Sequence, residues 1–157
     1  MADFLEPRLE HLCDMHIDLD APQPIGASPI GSRTIFIVTG GTFEGPRLKG
    51  EALPGGGDWA INRSDGGIQL DVRATLKTDD GALIYAQYGG LILATPDVFQ
   101  RIFSGEDVPL TEYYFYTNPM FQTGSEKYSW LNDRIAIGRG RVRPGAVEYR
   151  VWAVDNP

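Results

Sequence analysis

The sequence predicts an all-β protein, a single small antiparallel β-barrel of about eight to ten strands with one short helix. Its 157 residues include 19 glycines and 11 prolines, which indicate many turns. At the same time, 42% of the residues are hydrophobic and 11% are aromatic, which is enough for a packed core. Several segments alternate apolar and polar residues with the period of a strand, and one segment has the features of a helix.

Length and charge restrict the class of protein. A chain of 157 residues is expected to form one domain over residues 1–157, with its core at about 9–154. The formal net charge of -7 argues against nucleic acid and anionic membranes as partners. The N-terminal MADFLEPRLE has no basic region followed by an apolar run, and no segment reaches the roughly 18 apolar residues of a membrane helix. We therefore expect a cytoplasmic protein.

The clearest structural unit is a β-hairpin. Residues 68–78 and 82–88 are its predicted strands, and the turn at 79–81 ends in an Asp-Gly pair, which supplies the positive φ of a tight turn. Along the first strand every second residue from Leu70 is apolar, and the other face carries Asp71 and Arg73.

The Asp71–Arg73 pair has two interpretations. On the outside of the protein it would be an exposed ion pair worth about 0 to 1 kcal/mol. Inside a barrel with a partly polar interior, Asp71 would hold Arg73 in place, and the guanidinium would present donors to a carbonyl, carboxylate or phenolate. The strand pattern alone is compatible with both.

The other strands follow from the same alternation. They are predicted at residues 9–19, 33–39, 47–53, 112–117, 120–123, 127–132, 134–143 and 147–154. Within 112–117, Tyr114 and Tyr116 are expected on one face, and Tyr113 and Phe115 on the other. Residues 21–32 contain three prolines and two glycines, so we expect a loop there.

One short helix is predicted to begin after Thr95. Thr95 suits the N-cap, Pro96 suits the first helical position, and Gly105 ends the helix. Its apolar side comprises Val98, Phe99, Ile102 and Phe103. A helix of this length can act only as a lid or plug of the barrel.

Metal and thiol chemistry are not indicated. Cys13 is the only cysteine, which excludes an intrachain disulfide, and it falls on the apolar side of the first strand. His11 and His16 are the only histidines, and they are expected on opposite faces of that strand, where they cannot share a metal ion. We therefore expect neither a metal nor a cofactor.

Three segments indicate a family. GGTFEGPRLKGEALPGGGDW (40–59), LDVRATLKTDDGALIY (70–85) and FQTGSEKYSWLN (121–132) closely resemble the domain-of-unknown-function 3237 family, over about residues 9–154. This resemblance implies a small β-barrel similar to that of allene oxide cyclases, which isomerise or cyclise hydrophobic substrates without a cofactor. Such a likeness carries function by analogy only. Gln122 departs from the family pattern, where a Glu is common, and this argues against a catalytic carboxylate at that position.

The candidate site residues are acids, bases and aromatics. The candidate general bases are Glu44, Asp58 and Asp71, the oxyanion partners Lys49 and Arg73, and the proton donors Tyr85, Tyr114, Tyr116 and Tyr128. Further candidates for substrate binding are Trp59, Phe121, Trp130 and Asn132. A carboxylate beside phenols in an apolar cavity has its pKa moved toward neutrality, which suits proton abstraction next to a carbonyl. An arginine there would stabilise the resulting enolate.

Each of these residues also has a purely structural interpretation. Glu44 and Asp58 adjoin glycine-rich bends and could serve the turns alone. Lys49 could be a solvated strand residue, Asn132 could cap a turn, and the tyrosines could serve packing with one hydrogen bond each.

Two functions are compatible with these residues. The first is a cofactor-independent isomerase, cyclase or lyase acting on a hydrophobic oxygenated small molecule, such as a phenolic, enone or polyketide-like compound, with Arg73 binding the developing oxyanion. The second is a non-catalytic carrier that binds a hydrophobic ligand as lipocalin-like barrels do. A fully packed interior would favour a structural or oligomerisation module instead, and exposed aromatics on the outer face would favour a homodimer.

Overall fold

Eleven strands and one α-helix make up the fold in the computed structural model, which describes residues 4–156. The elements are β1 (Arg8–Leu19), β2 (Gln23–Ser28), β3 (Gly31–Glu44), β4 (Lys49–Ala52), β5 (Gly57–Asn62), β6 (Ile68–Thr78), β7 (Leu83–Leu93), α1 (Pro96–Phe103), β8 (Tyr114–Thr117), β9 (Met120–Gln122), a 3₁₀-helix (Ser129–Asp133), β10 (Ala136–Arg143) and β11 (Ala146–Asp155).

Eight of the strands close into an antiparallel barrel. Around its circumference the order is β3, β5, β6, β7, β8, β10, β11 and β1, which pairs again with β3. The other three strands extend the sheet: β2 pairs with β3, β4 pairs with β3 and β6, and β9 pairs with β7. Closure pairs each of the eight strands with a neighbour on both sides, whereas β2 pairs with β3 alone. The predicted all-β barrel is confirmed.

Strand β6 shows how the sequence selects the inside of the barrel. Leu70, Val72 and Leu76 are at most 5% exposed, whereas Arg73 and Lys77 on the alternate row are exposed. Burial of a large aliphatic side chain stabilises the fold by about 1.5–3 kcal/mol, so a register slip of one residue would be costly. The predicted hairpin is confirmed, since β6 and β7 pair along their length from Ile68–Ile92 to Lys77–Leu83.

The interior is filled with side chains at one end only. That end lies at the β6–β7 turn, where the packed side chains include Phe43, Leu76, Ile84, Phe121, Tyr128 and Leu131. Asp80, in the turn, accepts hydrogen bonds from Lys127 Nζ at 2.5 Å, from the Thr78 hydroxyl at 2.6 Å and from the Tyr128 hydroxyl at 3.0 Å. These bonds hold the pKa of the Asp80 carboxyl well below its usual range. The network ties the turn to the segment before the 3₁₀-helix.

Helix α1 lies at the other end. The Thr95 hydroxyl accepts a hydrogen bond from the Val98 N–H at 3.4 Å, and Pro96 occupies the first turn, as predicted. Arg101 pairs with Glu106 at 2.7 Å and with Glu112 at 2.6 Å, which anchors the outer side of the helix. Among residues 4–156, no helix is both long enough and apolar enough to cross a membrane.

Three local predictions are wrong. Residues 23–28, predicted as loop, pair with β3 as a strand, and 129–133, predicted as extended, form a 3₁₀-helix. The third concerns the histidines. A register shift between His11 and Cys13 lets both Leu12 and Cys13 point inward, so His11 and His16 both lie on the outer face. They contact Asp14 and Asp18 there, at 3.2 and 3.1 Å.

We predict that Gly140→Ala destabilises the barrel. A Cβ atom at Gly140 would lie 2.5 Å from Cε1 of Phe115, which is fully buried, so the ring or the strand must move. Overpacking of this kind costs about 1–3 kcal/mol, measurable by denaturant unfolding. Gly124→Ala is the matched control, because a Cβ there meets nothing within 4 Å. Equal stability of the two variants would contradict the expectation.

Candidate active site

The hollow end of the barrel is a cavity of about 480 Å³ beneath α1. This volume lies in the range of small-molecule sites. Its walls are mainly apolar and include Phe36, Leu70, Val72, Ile92, Phe99 and Phe115. The interior is therefore not fully packed. A purely structural module would have been favoured by a fully packed interior, so the cavity argues against it.

The Asp58 carboxyl group and two phenols converge inside this cavity, and a second carboxyl group, that of the exposed Asp20, also belongs to its lining. Asp58 on β5 lies opposite Val72 on β6, which lies opposite Tyr88 on β7, so the three side chains share one level of the barrel wall. Tyr149 comes from β11, on another part of the wall. Its ring meets the Tyr88 ring edge to face, with the centroids 5.6 Å apart, and the Phe115 ring at 5.5 Å.

Burial dominates the electrostatics of Asp58. Desolvation raises the pKa of this carboxyl from 3.8 to about 6, and the nearby charge of Asp71 adds to the rise. A hydrogen bond from the Asp71 backbone N–H to Asp58 Oδ1, 2.9 Å long, opposes it and fixes the orientation of the carboxyl group. Close to neutral pH, both the acid and the carboxylate are populated.

The two phenols stay protonated. Burial raises the pKa of the Tyr88 and Tyr149 hydroxyls above the usual value, and the charge of Asp58 raises both further. Their hydroxyls are therefore hydrogen-bond donors at neutral pH. The site combines a group that can take and return a proton with two groups that can stabilise negative charge on oxygen.

The mouth of the cavity carries further polar groups. Asn62 Nδ2 donates a hydrogen bond to the Thr34 hydroxyl at 3.1 Å. Arg143 lies at the rim and pairs with Asp107 at 2.7 Å and with Glu148 at 3.0 Å. Within residues 4–156, no three or more His, Cys, Asp or Glu side chains are grouped so that they could hold a metal ion.

Of the sequence candidates, Asp58 lines the cavity. Of the two interpretations of the Asp71–Arg73 pair, the exposed ion pair is the one that the structure shows, so the catalytic role that depended on the inner placement is wrong. Asp71 Oδ1 and Arg73 Nη1 are 3.2 Å apart on the outer face, with half-exposed side chains. The Arg73 guanidinium lies over the Trp59 ring, 5.6 Å from its centroid, so Trp59 is also outside. The cause is the alternation of β6, because Leu70 and Val72 occupy the inward positions.

Five other candidates lie on outer surfaces. Glu44 borders an open groove, and Lys49 is 3.8 Å from Asp79. The Tyr85 hydroxyl donates to the Gln87 side chain at 3.0 Å. Tyr114 and Tyr116 are 47% and 38% exposed, and their rings contact each other at a tilt of 52° with the centroids 4.8 Å apart. Their expected shared face is confirmed, but it faces away from the cavity.

The remaining candidates lie at or near the packed end. Phe121 and Tyr128 are buried there. Trp130 is covered by the Arg47 guanidinium, 3.6 Å from the ring centroid. Asn132 accepts a hydrogen bond from the Thr123 N–H at 2.8 Å and donates to the Thr123 carbonyl at 3.0 Å, so it closes a turn. None of the four lines the cavity.

The sequence reasoning missed Tyr88 and Tyr149. A signal for Tyr88 was available, since it follows Ile84 and Ala86 at two-residue spacing on the inward row of the hairpin. Tyr149 precedes Val151 and Ala153 on the inward row of β11 in the same way. What the sequence does not show is that these two rows meet at Asp58.

Fold and site together define a small antiparallel barrel that is packed at one end and has a mainly apolar cavity at the other, where a largely buried carboxyl group meets two phenols. Within this class, residues 7–154 match the family described as "Protein of unknown function (DUF3237)", and the chain belongs to that family. The resemblance seen in three sequence segments is confirmed.

Several relatives share this fold over most of their length. The chain is 35% identical over 138 residues to a UPF0311 protein of Clostridium acetobutylicum, covering 87% of each chain. A β-barrel-like protein from Acinetobacter baumannii AYE, known from a crystal structure, superposes with a TM-score of 0.86 at 39% identity and covers 99% of this chain and 100% of that one. The hydroalkoxylation enzyme phnH of Penicillium herquei is 26% identical over 132 residues, 84% of this chain and 73% of that one.

We predict that Asp58→Asn stabilises the protein at neutral pH. Because the folded-state pKa of about 6 lies above the ordinary 3.8, the native protein loses stability as the pH rises through this window, when the unfolded chain ionises first. Asparagine removes that loss and keeps an oxygen for the Asp71 N–H. The variant should match wild type near pH 4 and exceed it by at most about 3 kcal/mol above pH 7.

Denaturant unfolding from pH 4 to 8 measures this difference. Asp133→Asn, at an exposed carboxylate outside the cavity, controls for the loss of one negative charge. A stability difference between Asp58→Asn and wild type that does not change with pH would contradict the assignment.

Proposed function

We propose that the protein is an acid–base enzyme of isomerase, cyclase or lyase type. Its substrate is a hydrophobic oxygenated small molecule, phenolic, enone or polyketide-like, that binds in the barrel cavity, and the reaction needs no cofactor. The observation that carries the proposal is the convergence of Asp58, Tyr88 and Tyr149 in a cavity whose other walls are mainly apolar.

In the proposed mechanism, Asp58 transfers a proton of the substrate, and the two phenols stabilise the negative charge that develops on the substrate oxygen. The Asp58 carboxylate removes a proton from a hydroxyl, or from a carbon next to a carbonyl, and returns it to another atom of the same molecule. When a hydroxyl adds to an enone, the new C–O bond forms as the π electrons move to the carbonyl oxygen, and the proton then goes to carbon. Tyr88 or Tyr149 donates a hydrogen bond to the enolate oxygen. No oxidant or reductant is required.

The relative from Penicillium herquei supports this chemistry. Hydroalkoxylation is the addition of an O–H group across a carbon–carbon double bond, and within one molecule it is a cyclisation. That relative is 26% identical over most of this chain. At this distance the likeness supports catalysis in the barrel and leaves the substrate of this chain as part of the proposal.

A carrier function is the alternative. An apolar cavity of this size would suit a carrier equally well. A carrier needs only shape and hydrogen bonds, however, whereas proton transfer needs a group poised near neutral pH. Burial of Asp58 raises its pKa to about 6, and this favours the enzyme.

We predict that wild-type protein exchanges or isomerises part of a panel of phenols, chalcone-like enones and β-hydroxy ketones in deuterated buffer, as followed by mass and ultraviolet spectrum. Asp58→Asn should lose about 100-fold or more of that rate, because it cannot accept a proton. Tyr88→Phe and Tyr149→Phe should lose less. The protein is first dialysed against a chelator, which tests independence of metals.

Arg73→Ala is the matched control. It removes a charged side chain on the next strand but outside the cavity, so its rate should equal that of wild type. An Asp58→Asn variant as active as wild type would overturn the assigned base. Saturable binding of a compound without deuterium exchange or product would favour the carrier function instead.

Two expectations from the sequence stay predictions. A homodimer is compatible with the exposed Tyr114 and Tyr116 pair on the outer face. The second is the cytoplasmic location.

A further inference from the structure

Strand β5 carries a second polar position on the same inner face as Asp58. Asp58 and Asn62 are four residues apart, so both side chains point into the barrel, and both line the cavity. At the rise of a strand, their Cα atoms are about 13 Å apart. Asp58 is deep in the wall, whereas Asn62 is exposed at the mouth.

Asn62 is paired in a way that leaves hydrogen-bonding capacity free. Thr34 on β3 lies opposite Ala60, the residue between the two polar positions of β5. The Asn62 amide donates to the Thr34 hydroxyl at 3.1 Å. The Asn62 side-chain oxygen can still accept, and the Thr34 hydroxyl hydrogen can still be donated. Together they offer one acceptor and one donor to a ligand.

The neighbouring wall offers nothing polar at the same depth. On β6 the inward residues beside β5 are Ile68, Leu70 and Val72, and Ile92 follows on β7. Polar contacts to a ligand along this side are therefore confined to two places, one at Asp58 and one at Asn62 and Thr34. A ligand that spans them must be apolar in between.

The rim selects a neutral group. Arg143, which also lines the mouth, is already paired with Asp107 and Glu148, at 2.7 and 3.0 Å. The other charged side chain of the lining at the mouth is the acidic Asp20. A carboxylate or phosphate would find no uncommitted cation among the cavity-lining residues, whereas a hydroxyl or carbonyl matches the amide and hydroxyl of Asn62 and Thr34.

We propose that Asn62 and Thr34 form a specificity subsite at the mouth of the cavity. It binds a neutral hydroxyl or carbonyl at the outer end of an elongated, aromatic ligand whose other oxygen lies at Asp58. That the inner oxygen of this ligand reacts at Asp58 rests on the proposed function, whereas binding of the outer oxygen at Asn62 and Thr34 does not require turnover. The ligand class is a flat apolar molecule about two rings long with an oxygen at each end.

A pair of probes tests the subsite by calorimetric titration. 4-Phenylphenol has an oxygen at one end, and 4,4′-dihydroxybiphenyl has one at both ends. Wild type should bind the diol roughly five-fold more tightly, the gain from one net hydrogen bond. In Asn62→Leu this ratio should fall to about one, and Thr34→Val should reduce it. Gln69→Leu makes the same chemical change on the outer face of β6 and should keep the wild-type ratio.

The ratio between the probes is the readout, so a small general loss of affinity does not affect it. No gain for the diol in wild type, a gain that survives in Asn62→Leu, or binding of neither probe would overturn the subsite. Failure of the proposed function is distinguishable, because it would appear as absent deuterium exchange while the ratio and its loss in Asn62→Leu persist.

Discussion

The closed sheet imposes one constraint on every strand, because successive side chains must point alternately into the barrel and out of it. On β5 this constraint sends Asp58 inward and Trp59 outward. A shift of one residue would exchange them, placing the carboxylate in water and an indole in the cavity. The chemistry of the site therefore depends on register, and the register is fixed by the pairing of β5 with β3 and β6.

Much of the fold could be predicted from local pattern. The hairpin of β6 and β7, the cap and proline of α1, and the two faces of β8 all follow from spacing along the chain. The pattern on β6 leaves open which face is inside, and the mainly apolar cavity of the structure shows that the row with Leu70 and Val72 is the inner one. The charged row with Asp71 and Arg73 then lies outside, where such pairs contribute little.

The site itself depends on contacts between distant segments. Strand β5 has apolar residues on both rows, with Ala60 on one and Trp59 and Ile61 on the other, so its own sequence does not say which row faces inward. Tyr149 joins Tyr88 only because β11 pairs with β1 and β10 to close the barrel. A bulge at Leu12 reverses the faces within β1, and it too is set by pairing and not by local sequence.

The division of the barrel into a packed and a hollow end explains how the protein carries a buried carboxyl. Raising the pKa of Asp58 to about 6 costs the folded state free energy at neutral pH. The packed end, with Tyr128 bonded to Asp80 in the β6–β7 turn, contributes stability that does not involve the cavity. The same burial that destabilises the folded state makes Asp58 able to act as both acid and base near neutral pH, which an exposed aspartate cannot do. Asp58, whose burial destabilises the fold, thus lies at the hollow end of the barrel beneath α1, where it displaces few contacts of the hydrophobic core.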